Sequence, residues 1–225
     1  MKSSKFPTDA EIVIVGVGGI VGSMLAYWLT ELGQKNIVGL EKSTVIPSDI
    51  ASTAHASDFV YNTTHDKLSN WTTAFSRNFY EENGFFLKKG GLEICRKGDD
   101  ERWEELKRKV ESGKSFGTNV RLISASEAKE KFPLLDEESI RGAMWDPDAG
   151  LVVPRSQDVV SFAVESAKEK GALTTYADTP AVGFDIENGR ITGVKTDKGT
   201  IKTDKVILSS GIWGPLIGDM AGGPV

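Results

Sequence analysis

The chain has 225 residues, 32 of them acidic against 27 basic for a formal net charge of −5, with 39% hydrophobic and 8% aromatic residues. That length admits one large domain or one domain plus part of another, with enough apolar residues for a packed core. No basic run argues for nucleic acid, no segment has the apolar length of a membrane-crossing helix, and a single cysteine, Cys95, excludes an internal disulfide.

The first ten residues, Met1 to Ala10, lack the apolar core of a secretion signal. The expected location is therefore the cytoplasm, with the mitochondrial matrix left open. Glu11-Ile-Val-Ile-Val-Gly-Val-Gly-Gly-Ile-Val-Gly22 then reads as a strand, a glycine turn and the start of a helix. Gly16, Gly18, Gly19 and Gly22 give G-x-G-G-x-x-G, one residue longer than the usual dinucleotide fingerprint. Gly22 is the glycine expected to let helix meet sheet, because Ala26 follows on the same helical face. Gly33 falls where a helix C-cap is expected, and Ile37 to Leu40 reads as a short buried parallel strand ending at Glu41.

This is the layout of an adenine-dinucleotide site. Glycines let backbone N–H groups approach a pyrophosphate, and the helix N-terminus adds partial positive charge. Glu41 can accept from the hydroxyls of a ribose and disfavours a 2′-phosphate. The competing reading is a glycine-rich turn of some other α/β protein; the placement of Glu41 favours the dinucleotide.

A polar loop, residues 42–58, carries Ser52-Thr53 and His55. A helix is expected over Asp66 to Asn83, with Gly84 ending it. Strands at Phe85 to Leu87 and Gly91 to Arg96 are joined by a Lys-Lys-Gly turn, and Cys95 in the second is read as a small core residue. A surface helix from Asp99 to Ser112 has acids first, bases last and an apolar stripe of Trp103, Leu106 and Val110. Ser124 and Glu127 have capping-box spacing, and Ile140 to Trp145 reads as a strand. Ser156 is expected to cap a helix burying Val159, Phe162, Ala163 and Ala167, with Gly171 as terminator. Val182, Phe184 and Ile186 alternate. Asn188-Gly189 and Asp197-Lys-Gly199 supply turns for a three-strand meander, and Lys205 to Ser209 reads as a buried strand running into Ser210-Gly211. A meander interrupting a Rossmann-like sheet points to flavin folds rather than nicotinamide dehydrogenases.

Other signals carry less. Gly113-Lys-Ser-Phe-Gly117 has hydrolase-elbow spacing but follows a charged helix instead of a buried strand. Asp146-Pro-Asp148 reads as a turn rather than a cation site. Arg155 reads as a surface residue at a helix start, and His65 as a solvated residue before one. Two histidines and one remote cysteine make no metal ligand set.

In order along the chain, several segments carry a resemblance: the fingerprint with Glu41, Ser52-Thr-Ala-His-Ala56, Gly90-Gly-Leu-Glu93 and Phe132-Pro-Leu-Leu-Asp136. Asp148-Ala-Gly-Leu151, Gly189-Arg-Ile-Thr-Gly-Val194 and Val206-Ile-Leu-Ser-Ser-Gly-Ile-Trp-Gly214 continue it. Together they resemble FAD-dependent amine-oxidising enzymes of the D-amino-acid-oxidase type, in the dimethylglycine dehydrogenase/oxidase and sarcosine dehydrogenase branch. The resemblance implies an α/β fold: a Rossmann-like FAD-binding domain with a β-meander plus part of an α+β substrate domain, incomplete relative to the family. The expected segments are 1–84 and 151–225 for FAD binding and 85–150 for the partial substrate domain.

It also implies a set of FAD-binding residues. Gly18, Gly19 and Gly22 would serve the pyrophosphate, Glu41 the ribose, and Ser52 and Thr53 the flavin and phosphates, with Gly16 also in the binding set. Val182 would contact adenine through its backbone, and Gly211 would let the chain pass close to the cofactor; Lys42, Ser210 and Trp213 complete the set. In that branch the histidine matched by His55 is bonded covalently to the flavin, which needs a neutral imidazole nitrogen as nucleophile, a form histidine populates near pH 7. Here Asp49-Ile-Ala51 replaces a glycine-rich approach to the motif, and Ser57-Asp58 replaces Pro-Gly. No catalytic residue and no metal ligand is assigned.

The activity implied is oxidation of a secondary or tertiary N-methyl amino acid, with an amine substrate, an electron acceptor and a companion chain or further region as partners. One alternative is a truncated or split-gene FAD-binding module with no turnover of its own. A nicotinamide-dependent dehydrogenase is the third reading, disfavoured by the meander.

Overall fold

The computed structural model describes residues 6–63 and 65–223; Met1 to Lys5, at the start of the segment read for a leader, lie outside the described residues. In chain order the elements are β1 (Ile12–Val15), α1 (Ile20–Glu31), β2 (Ile37–Leu40), a 3-10 turn (Ser52–His55) and β3 (Phe59–Val60). Next come α2 (Lys67–Glu82), β4 (Phe86–Lys88), β5 (Gly91–Arg96), α3 (Asp100–Ser115), β6 (Arg121–Ser124), α4 (Ala125–Lys131), β7 (Ile140–Asp146) and β8 (Gly150–Val152). The chain finishes with α5 (Ser156–Glu169), β9 (Leu173–Tyr176), β10 (Ala181–Glu187), β11 (Arg190–Thr196), β12 (Gly199–Lys202), β13 (Val206–Leu208), a 3-10 turn (Gly211–Trp213) and α6 (Gly214–Met220).

Two compact units result: residues 1–56 with 155–225, and residues 57–154. The breaks fall at Ala56/Ser57 and Pro154/Arg155, not after residues 84 and 150. The ladders explain why. β8 pairs with both β3 and β4, which ties residues 57–60 and 150–152 to the second unit.

In the first unit a parallel sheet runs β13-β1-β2-β9. Every residue of β1 and β2 is buried, as expected of a parallel sheet covered on both faces. Alternation divides the labour. Ile12, Ile14 and Ile37 pack with Ala26 of α1 and Val160, Val164 and Ala167 of α5. Val13, Val15, Val38 and Leu40 pack with Phe184 and Val194 of the meander, Ile201 of β12 and Ile217 of α6. The meander forms as its turns dictate: Asn188 and Gly189 both take positive φ, 51° and 75°, the requirement of a two-residue type I′ hairpin.

Three expectations in this unit are corrected. The N-cap of α5 is Arg155, with Ser156 already helical. Its buried stripe is Val159, Val160, Ala163, Val164 and Ala167, leaving Phe162 half-buried. The strand at residues 206–208 is not buried either: β13 lies at the sheet edge, and Leu208 is 41% exposed.

The second unit holds two antiparallel three-stranded sheets, β3-β8-β4 and β5-β7-β6. The strands flanking the Lys-Lys-Gly turn are therefore not a hairpin; β4 pairs with β8 and β5 with β7. Cys95, Leu106, Val110 and Met144 form one core under α3, and burial pushes the Cys95 thiol up from its ordinary value. The expected stripe of α3 holds, and its helix runs on through Gly113 and Ser115 to a cap at Phe116, so the G-x-S-x-G spacing is a helix end. The capping box of Ser124 and Glu127 is present at α4. Asp66, following His65, caps α2 by accepting from the Ser69 N–H at 2.8 Å. His65 Nε2 lies 3.3 Å from Glu105 Oε1.

A hollow of ≈ 200 Å³ in this unit is lined by Phe59, Tyr61, Glu93, Lys109 and Asp146, among others. Its charges are already engaged. Lys109 Nζ sits 2.6 Å from Glu93, Arg102 binds the other Glu93 oxygen at 2.5 Å, and Asp146 accepts from the N–H groups of Asn62 and Asp148. The Lys109 side chain is only 10% exposed, so removing its partner leaves a charge with poor access to water. Glu93→Gln is expected to cost about 1–3 kcal/mol, below the full penalty for a buried pair because Glu93 is 23% exposed. Urea denaturation measures this, and an unchanged midpoint would refute it.

Candidate functional site: a cavity at the glycine turn

The first unit contains a cavity of ≈ 590 Å³, within the range of small-molecule sites. Its floor is the turn between β1 and α1. Gly16 has φ +94° and lines the cavity, as do Gly19, Ile20 and Val21 at the N-terminus of α1. The helix thus presents its positive end to the cavity. Thr53 lines the same space, and its Oγ1 accepts from the Ile20 N–H at 3.0 Å. A hydroxyl that accepts there keeps its own proton to donate to an anion.

Glu41 lines the cavity at the end of β2 and is 7% exposed. Its Oε2 accepts from the Gly18 N–H and its Oε1 from the Ser43 N–H, each at 2.9 Å. The carboxylate therefore ties the glycine turn to the strand end and still has lone pairs for a ligand hydroxyl. Next in sequence, Lys42 Nζ sits 3.6 Å from the centre of the Trp213 ring, a cation–π contact between two lining residues.

The structure brings Gly16, Gly19, Glu41, Lys42, Ser52, Thr53, Ser210, Gly211 and Trp213 to this cavity. Four expected residues lie outside its lining. Gly18 has its N–H turned to Glu41, and Gly22 is packed on the Gly16 carbonyl, where a Cβ would come within 2.1 Å of the oxygen. His55 ends the 3-10 turn and is exposed. Val182 is 53% exposed at a break in the β10–β11 register, while its neighbours Thr179, Pro180 and Ala181 line the cavity. Ser48, Ile50, Leu208 and the α6 residues Leu216, Ile217 and Met220 also line it, without a sequence signal that marked them.

Two hydroxyls test what the cavity fits. Ser210 Oγ and Ser48 Oγ are buried, and neither has a hydrogen-bond partner among the described residues. Both belong to lining residues. Orphaned buried hydroxyls are rare, and these two share a cavity lining with a carboxylate and a helix N-terminus, a polar set that suits a ribose-bearing, phosphate-bearing ligand. Among the described residues no cluster of three His, Cys, Asp or Glu could hold a metal ion. A parallel sheet with a glycine turn, a strand-end acid and a meander defines a dinucleotide-binding α/β protein of the flavin kind.

The comparison with known proteins narrows that class. Residues 11–225 match the family described as FAD dependent oxidoreductase, and the chain belongs to it. It is 30% identical over 220 residues to the mitochondrial pyruvate dehydrogenase phosphatase regulatory subunit of Mus musculus, covering 94% of this chain and 24% of that protein. It is 27% identical to the mitochondrial sarcosine dehydrogenase of Homo sapiens, covering 98% and 24%. Among solved structures it is similar to L-proline dehydrogenase from P. horikoshii, at 34% identity and a TM-score of 0.86, over 96% of this chain and 57% of that one. The chain thus spans about a quarter of the length of these curated relatives.

Proposed function

We propose that this chain holds FAD in the cavity of its first unit and serves the oxidation of a secondary or tertiary N-methyl amino acid of the sarcosine or dimethylglycine type. One observation carries the cofactor reading: Glu41, Thr53 and the N-terminus of α1 converge on one cavity that also holds two unpartnered hydroxyls. The similarity to sarcosine dehydrogenase supports the substrate class. When bound, FAD supplies a hydride acceptor for the amine's N-methyl carbon. The residues of this chain bind and orient: Glu41 accepts from ribose hydroxyls, while Gly16, Gly19 and Thr53 face the pyrophosphate. Ser52, Ser210, Gly211, Lys42 and Trp213 line the remainder, and Gly18 and Gly22 act behind the wall by fixing the turn. Val182 is proposed to meet adenine through the backbone at its register break.

His55 is proposed as the attachment point of the flavin. It stands two residues after Thr53 on the same 3-10 turn, with an exposed imidazole. An amine substrate, an electron acceptor and a companion chain or further region belong to the same proposal. Ile212 and Leu216, 80% and 50% exposed beside the cavity, support a companion surface. The single cysteine supports a reducing compartment, and the cytoplasm is the proposed location.

A second reading, an FAD-binding module without turnover, is favoured by the similarity to a protein named as a phosphatase regulatory subunit. An absorption spectrum before and after acid precipitation tests the cofactor. The purified chain is expected to be yellow and to keep its colour in the pellet, and His55→Ala is expected to release that colour to the supernatant. A colourless protein that added flavin cannot reconstitute would overturn the proposal. Turnover of sarcosine or dimethylglycine with an artificial acceptor separates the first reading from the second.

A further inference from the structure

Ser48 sits in the loop after β2, and no motif marks it. The residue is 1% exposed, it is among the residues that line the cavity, and its hydroxyl has no hydrogen-bond partner among the described residues. The backbone fixes its place, because the Ser48 N–H donates to the Gly18 carbonyl at 2.9 Å. Its position relative to Glu41 follows from Gly18: a Cβ built there would lie 2.5 Å from Glu41 Oε2 and 2.8 Å from Ser48 Cβ. Hydroxyl and carboxylate therefore flank one glycine without bonding each other. Both Glu41 oxygens already accept from backbone N–H groups, so the carboxylate is held in place, with capacity left for one more partner on each oxygen. The Ser48 hydroxyl is the one group in this corner that is buried, polar and unengaged.

A buried hydroxyl without a partner destabilises the protein that carries it unless a ligand, an ion or a water completes it. We infer that Ser48 is a ligand-binding residue for the adenosine ribose, sharing the diol with Glu41. This rests on the FAD reading above and deepens it by giving one of its two unpartnered hydroxyls a specific contact. The hydroxyl both donates and accepts, whereas the carboxylate only accepts. Together they suit a diol, whose two hydroxyls can each give and take a hydrogen bond.

The test is Ser48→Ala in the full chain, prepared free of nucleotide, with ADP as the probe. ADP is expected to bind about three- to tenfold more weakly, the effect of one neutral hydrogen bond. The nucleotide-free variant should melt at the same temperature as the parent or a few degrees higher, because an unsatisfied hydroxyl has been removed. A purely structural serine would leave ADP affinity unchanged and lower the melting temperature. Either 2′-deoxy- or 3′-deoxy-ADP, though weaker than ADP on the parent, should bind the variant as well as ADP does, since the partner of the missing sugar hydroxyl is gone. Unchanged ADP affinity, or a lower melting temperature without ligand, overturns the inference while FAD binding by the parent stands. A parent that binds neither ADP nor FAD instead overturns the reading beneath it.

Discussion

Gly22→Ala is expected to lower the melting temperature of the nucleotide-free protein by roughly 4–8 °C and to remove most of its flavin binding. The added Cβ would lie 2.1 Å from the Gly16 carbonyl oxygen, 2.9 Å from its carbon and 2.7 Å from Ser209 Oγ. Two of these atoms are backbone, and Ser209 is tied to the carbonyls of Val15 and Gly16 at 3.0 Å each. None can move aside as a long side chain would, so α1 must lift from the sheet. Overpacking costs roughly 1–3 kcal/mol, and more against main chain. Alanine's helical advantage over glycine, about 1 kcal/mol, offsets only part of that. The net loss is about 2 kcal/mol or more, a large share of a typical stability of about 5–15 kcal/mol. Because the N-terminus of α1 is the cavity floor, its displacement also removes the anion-facing end of the helix.

Gly19→Ala is the matched control. Gly19 has φ −100°, a conformation open to alanine, and its Cβ would lie 3.6 Å from Thr53 Oγ1 and 3.7 Å from Ala51 Cβ, ordinary contacts. Yet Gly19 lines the cavity, so the methyl group would intrude on a ligand. The fold should therefore survive while flavin affinity falls. Thermal denaturation and flavin titration on both variants check the pair, and a Gly22→Ala protein as stable as its parent would show that the helix does not depend on this close approach.

The contrast between these glycines marks how far the sequence could be read. The spacing of Gly16, Gly19, Gly22 and Glu41 showed the first βαβ unit, because those demands are local: a tight turn, a close helix and an acid at a strand end. The meander was equally legible, since Asn188-Gly189 specifies its turn from two adjacent residues. What spacing could not show was which glycine faces the ligand. Gly18 looks like a pyrophosphate contact in one dimension, but Glu41, 23 positions later, claims its N–H.

Long-range pairing defeated other expectations. The two strands joined by Lys-Lys-Gly are present, but nothing local told that β4 would pair with β8 instead of with its neighbour β5. Val206 to Leu208 is apolar enough for a central strand. The same composition suits an edge strand that gives Leu208 to a cavity wall. Ser48 left no trace at all, because its significance lies in what its hydroxyl lacks.

Glu41→Gln is the second large effect expected, and it separates charge from shape. Glutamine is nearly isosteric, so no cavity opens and no packing is lost. The carboxylate, however, accepts from two N–H groups at once, Gly18 at one oxygen and Ser43 at the other. An amide has a single oxygen; whichever way it turns, its NH2 group meets one of those N–H donors head on. One charge-assisted hydrogen bond is lost and one buried backbone donor left without an acceptor, for roughly 1.5–3 kcal/mol of stability. Flavin affinity should fall further, by about 100-fold, because the ribose also loses its anionic acceptor and the glycine turn loses its tie to β2. Selectivity should change in the same experiment. If Glu41 faces the ribose as proposed, its charge disfavours a 2′-phosphate, so the variant is expected to discriminate less between ADP and its 2′-phosphorylated form even as it binds both more weakly. Titration of the two nucleotides against parent and variant measures this ratio. A variant with weaker binding but an unchanged ratio would mean that Glu41 shapes the turn without facing the ribose. Both effects together would mean that one buried carboxylate performs the two tasks at once.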